Sequence, residues 1–107
     1  MAFLIFAGEI MRLEELRIET DAIDTEIMAL LNKRVTLAVE IGNIKAKAGV
    51  PVVDVGNAIR ILNRVSKMNE GLMRADTVES IFRPILEESR RIQREASEKS
   101  VENLTVL

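Results

Sequence analysis

Between Glu9 and Ala48 the chain carries no proline and a single glycine, Gly42, and its apolar residues recur at alternating steps of three and four. Leu13, Leu16, Ile23, Ile27, Leu30, Leu37, Ile41, Ile44 and Ala48 fall on that series, and only Thr20 and Arg34 interrupt it. Such spacing is the seam of one long helix of coiled-coil type. Forty helical residues extend about 60 Å at about 1.5 Å per residue, whereas a compact domain of this size has a radius of gyration of about 13 Å. A helix that long needs company from another chain, which makes an intertwined homodimer the leading architecture.

Gly49 followed by Pro51 stops the first helix near Ala48, because glycine suits the left-handed cap and proline cannot continue the ladder. A second helix is expected from the N-cap residue Asp54, with Ile59, Leu62, Val65 and Met68 on one face, ending at the Asn69-Glu70-Gly71 turn. Its first turn is weak, since Gly56 and Asn57 are poor helix formers. A third begins at Asp76-Thr77-Val78-Glu79, which resembles a capping box, and presents Val78, Phe82, Ile85, Ser89, Ile92 and Ala96 on one stripe, with a bend at Pro84. The fold class is therefore all-α, three helices per chain with a very long first helix. Residues 1–10 read as an apolar N-terminal extension, 11–97 as the helical domain and 98–107 as a loose C-terminal tail.

Composition narrows the chemistry. At 107 residues there is one small domain, and only 3% of residues are aromatic, which favours helices over sheets. Fifteen basic against seventeen acidic residues, interleaved along the chain, leave no broad basic field for nucleic acid or an anionic membrane. The apolar run Ala2 to Ala7 falls far short of the roughly 20 residues of a membrane span. The sequence has no Cys and no His, hence no thiolate nucleophile and no imidazole proton shuttle. An enzyme built this way works by electrostatics and positioning, with no metal and no cofactor expected, and the absent cysteines fit a reducing, cytoplasmic setting.

Several polar residues stand where they invite a ligand. Arg34 interrupts the apolar seam, and a guanidinium there needs an anion, either a carboxylate of the dimer or a substrate. Lys45 lies three helical turns on, about 16 Å along the axis, either as a solvated end-of-helix cation or as the second arm of a clamp on a small dianion. Arg17 is about 25 Å before Arg34 on the same helix. It forms either an i,i+4 surface pair with Asp21 or, from the partner in an antiparallel dimer, part of a composite site. Ser89 and Gln93, spaced i,i+4, can serve helix packing or ligand binding. Asp54 can cap its helix and also accept a ligand hydroxyl. The Arg90-Arg91-Arg94 cluster, interleaved with Glu87, Glu88 and Glu95, reads as a solvated face.

In order and spacing, Leu13-Glu14-Glu15-Leu16-Arg17, Asp21-Ala22-Ile23-Asp24, Leu30-Leu31-Asn32-Lys33-Arg34, Leu37 to Gly42, Ile44-Lys45, Gly49 to Asp54, and Ile81-Phe82 through Ser89 to Gln93 resemble the all-helical, AroQ-type chorismate mutases over residues 11 to 95. The resemblance implies an intertwined dimer that rearranges chorismate to prephenate on the route to phenylalanine and tyrosine. It also implies roles. Arg34 and the partner's Arg17 would hold the substrate carboxylates, Lys45 would serve a carboxylate and the ether oxygen, and Gln93 would donate to that oxygen. Ser89 would assist a carboxylate and Asp54 would hold the ring hydroxyl. A pericyclic shift needs neither His nor Cys.

One stretch departs from the family pattern. Where members typically carry Arg-Glu, this chain has Asn57-Ala58, and losing such contacts lowers rates on the order of 10²-fold each by analogy with oxyanion-hole deletions. Arg60, one turn on, offers partial restoration of the charge; the carboxylate has no replacement. Other functions fit the same helices: a non-catalytic module that senses chorismate or prephenate or docks on a shikimate-pathway enzyme such as a heptulosonate-phosphate synthase, an isochorismate-pyruvate lyase, or a purely structural dimer.

Overall fold

The computed structural model describes residues 2–106, with side chains described for 6–102. Among the described residues there are three helices and no strands, α1 (Ala2–Ala48), α2 (Val55–Met68) and α3 (Ala75–Val106), so the chain is all-α as its periodicity predicts. None of these helices is long and apolar enough to cross a membrane. The chain forms two compact units, Met1–Asn32 and Lys33–Leu107.

The first unit is helix and nothing else among its described residues. Its seam residues Leu13, Leu16, Ile23, Ile27 and Leu30 are all more than 40% exposed. What ties the unit internally is local: Arg12–Glu15 at 3.1 Å, Arg17–Glu14 at 2.8 Å, and the Thr20 hydroxyl donating to the Leu16 carbonyl. Exposed pairs of this kind contribute only about 0.2–1 kcal/mol each. Arg17 pairs with Glu14, one turn back, where spacing alone suggested Asp21.

In the second unit α1 ends in a Schellman motif. Gly49 adopts φ +67°, its N–H donates to the Ala46 carbonyl at 3.3 Å, and the Val50 N–H donates to the Lys45 carbonyl at 2.9 Å. Asp54 then caps α2, its Oδ1 accepting the Asn57 N–H at 2.9 Å, which offsets the poor propensity of Gly56 and Asn57. The core joins Ile61 and Val65 of α2 to Val78, Phe82 and Leu86 of α3, both sets at i,i+4 spacing. A short connection at 69–74 makes α2 and α3 a helical hairpin.

Helix ends depart from the sequence expectation. The N-terminal residues continue α1 back to Ala2, and α3 runs through Pro84 and past Ser97 to Val106, where a loose tail was expected. No Gly or Pro after residue 84 supplies a stop, and Ser, Glu, Lys and Asn alone do not end a helix already propagating. At its other end α3 starts one residue earlier than Asp76, at Ala75, with the Val78 N–H donating to the Arg74 carbonyl and Asp76 paired to Arg74. The packing of Phe3 to Ile5 and the placement of Leu107 lie outside the described residues.

Candidate functional site

A cavity of about 290 Å³ lies wholly within the second unit. From α1 it takes Arg34 and Lys45, and from the cap and first turns of α2 it takes Asp54, Asn57, Ala58 and Arg60. Ser89, Arg90 and Gln93 of α3 complete its polar wall, over an apolar floor that includes Leu37, Ile41 and Leu86. Eight of the nine candidate residues are thus brought together. Arg17, which belongs to the first unit, is not among them.

The central feature is a line of hydrogen bonds. Lys45 Nζ donates to the Val52 carbonyl at 3.0 Å and to Gln93 Oε1 at 2.8 Å, and Gln93 Nε2 donates to Ser89 Oγ at 3.1 Å. An ammonium cannot accept, so the Gln93 amide has only one sensible orientation. Among the described residues Lys45 uses two of its three N–H donors and Gln93 one of its two. Each therefore keeps one donor for a ligand oxygen. Ser89 acts as acceptor here, rather than back-bonding to its own helix.

Electrostatically the cavity is one-sided. Arg34, Lys45, Arg60 and Arg90 line it against a single carboxylate, Asp54, in a chain whose formal net charge is -2. Five arginines elsewhere, Arg12, Arg17, Arg74, Arg83 and Arg91, pair with carboxylates on exposed faces, whereas Arg64 bonds to Met68 Sδ and Arg94 has no ion pair among the described residues. The hydrogen bond that Arg91 donates to Glu88, with the charges of Glu88 and Glu95, holds the Arg91 guanidinium above its ordinary range. Among the described residues the cavity arginines have no such partner; Arg60 Nε donates to the neutral Asn57 Oδ1 at 3.0 Å. Among the described residues no partner meets Asp54 Oδ2, while Oδ1 caps α2. A small ligand with two or more negative charges and a hydroxyl meets what this wall offers.

Two contributors escaped the sequence reading. Arg90 belongs to the cavity and not to the solvated face assigned to Arg90, Arg91 and Arg94 together. Its signal was available, since Leu86, Ser89, Arg90 and Gln93 stand at i, i+3, i+4 and i+7. The other is Gly42, which is buried against the backbone of α3: a Cβ added there would lie 2.4 Å from the Gln93 carbonyl oxygen and 2.8 Å from its Cα. Helix propensity alone makes Gly42→Ala stabilising by about 1 kcal/mol, yet backbone atoms at these distances must move apart, at about 1–3 kcal/mol for an overpacked site. We expect the clash to win. Gly42→Ala should lower Tm and, by displacing Gln93, slow any reaction in the cavity; a raised Tm in a thermal melt would show that the helices do not approach this closely.

Comparison with known proteins follows the same residues. The model of the family "Chorismate mutase type II" matches residues 16–94. A bifunctional chorismate mutase/prephenate dehydratase of Aquifex aeolicus is 37% identical over 69% of this chain and 22% of its own length. A protein of Haemophilus influenzae named T-protein is 32% identical over 72% of this chain and 21% of its own. The chain thus spans about one fifth of the length of the curated relatives it matches. A solved structure, a conserved hypothetical protein from Pyrococcus furiosus, superposes with a TM-score of 0.64 at 36% identity, over 77% of this chain and 95% of that one.

Proposed function

Because this chain belongs to the chorismate mutase type II family, we propose that it rearranges chorismate to prephenate in the cavity bounded by Arg34, Lys45, Asp54 and Gln93. The observation that carries the proposal is the Lys45–Gln93–Ser89 line, which leaves two adjacent N–H donors unspent in a cation-rich pocket. In the reaction the ether C–O bond breaks as a C–C bond forms, with no proton transferred. Catalysis then reduces to holding the dianion in a reactive chair and stabilising negative charge that grows on the ether oxygen. Lys45 and Gln93 direct their spare donors to that oxygen, Arg34 holds a carboxylate, Ser89 assists a carboxylate, and Asp54 Oδ2 accepts the ring hydroxyl.

The working form is a homodimer in which Arg17 of a second copy reaches the substrate. Support comes from the long seam, whose residues in both units stay exposed, from Leu13 to Leu30 in one and Leu37, Ile41 and Ile44 in the other. A helix with that much uncovered apolar surface is marginal in water without packing, and its coiled-coil spacing suits another copy of itself. Turnover should be slow, since Asn57 and Ala58 bring neither charge nor a carboxylate to the ring hydroxyl. The soluble cytoplasmic setting and a functional partnership with another enzyme of aromatic biosynthesis belong to the same proposal; the fusion named in the Aquifex relative supports such a partnership.

Pure protein incubated with chorismate tests the proposal: prephenate should form well above the uncatalysed rate. Chorismate persisting at that rate under saturating protein would sink it. Asn57 and Ala58 favour one second reading, a sensor that binds without turnover, which calorimetric binding in the absence of prephenate formation would select.

A further inference from the structure

Arg90 stands on α3 one residue from Ser89 and three from Gln93, and all three line the cavity together with Leu86, four residues earlier. Successive helix residues point about 100° apart, so Arg91 faces elsewhere, where Glu88 and Glu95 receive it at 2.8 and 2.7 Å. Pairing with Arg91 occupies Glu88 and Glu95; Glu87, one turn before Arg90, is not paired to it among the described residues. Arg90 has no ion pair among the described residues and is half-buried. A guanidinium cannot shed its charge at any ordinary pH, so a half-buried one that lines a cavity without a counterion favours an anion that arrives from outside.

We infer that Arg90 is a substrate-binding residue that holds a carboxylate of the ligand, giving this cavity a guanidinium on its α3 wall as well as Arg34 on α1. The inference rests on the proposed function for the identity of the anion and on the cavity for its charge. Arg90 is assigned binding and not rate acceleration, because a substrate carboxylate keeps its charge through the rearrangement. It is held equally in ground and transition states, and such uniform binding appears in KM while kcat stays nearly constant.

Steady-state kinetics with chorismate on wild type, Arg90→Gln, Arg90→Lys and, as a surface control, Arg91→Gln test the assignment. Arg90→Gln should raise KM about tenfold or more with kcat within about threefold, as expected for a lost charge-assisted bidentate contact. Arg90→Lys should recover part of that loss, and Arg91→Gln should match wild type. An unchanged KM in Arg90→Gln while wild type is active overturns the inference and leaves the mutase proposal standing. If wild type does not turn over chorismate the mutase proposal fails by itself, and titration calorimetry with prephenate as probe then decides Arg90. Binding at least tenfold weaker in Arg90→Gln than in wild type supports the assignment. Equal binding, or none to either protein, overturns it.

Discussion

Replacing Lys45 with Met should lower kcat for chorismate by on the order of 10²–10³-fold, the loss found when a preorganised donor to developing negative charge is removed. The side chain keeps its length and most of its apolar stem, so Leu37 and Ile41 lose little packing. What disappears is one positive charge and three donors, two of which are engaged with Val52 and Gln93. Gln93 Oε1 then loses its partner and the amide is free to turn, so the variant loses the spare donors of both residues. The effect should fall on kcat more than on KM, because charge on the ether oxygen grows only as the bond breaks. Circular dichroism should show helix content unchanged. A kcat within threefold of wild type, in a folded variant, would mean that the ammonium does not touch the reacting atoms.

Two inactive variants should restore each other. Arg17→Ala and Arg34→Ala homodimers each lack one guanidinium in both of their sites and should lose on the order of 10² or more in kcat/KM. In a two-fold symmetric dimer that shares its sites, a mixed dimer has one site with both arginines intact and one with neither. Random re-association makes about half of all dimers mixed, so co-refolding should return about a quarter of wild-type activity. Mixed dimers can be counted by tagging one variant. If they form in quantity and activity stays at the level of the parents, Arg17 does not join Arg34 across chains.

The parts of this molecule governed by neighbours in sequence were legible before any coordinates. Gly49 and Pro51 announce the end of α1, and Asp54 caps α2 as its residue type demands. Arg34, Ser89 and Gln93 were legible as candidates because polar residues on apolar stripes stand out against a helical period, and Lys45 because it lies three turns from Arg34. What stayed hidden depends on contacts between distant segments or on weak local competition. The approach of Gly42 to Gln93 is a meeting of residues fifty-one positions apart, and nothing beside Gly42 in sequence announces it. Arg17 chose Glu14 over Asp21 because both lie within one turn, a contest that spacing does not decide. The start of α1 and the far end of α3 were hidden because changes in polarity look like boundaries, yet a helix stops for want of backbone compatibility or by capping. Arg90 was obscured by the acidic residues around it, which made the whole run look solvent-facing.

The reversal at Gly49 bears on the order in which the pocket is built. Lys45 is anchored to Val52 by a chain segment only seven residues long, and closing a loop of about ten residues takes about 10–100 ns, far faster than a whole domain folds. The ammonium can therefore be oriented while the rest of the molecule is still searching for its tertiary arrangement. When α3 arrives, it docks Gln93 onto a charge already in place, so these two cavity residues, 48 positions apart, need to find each other only once.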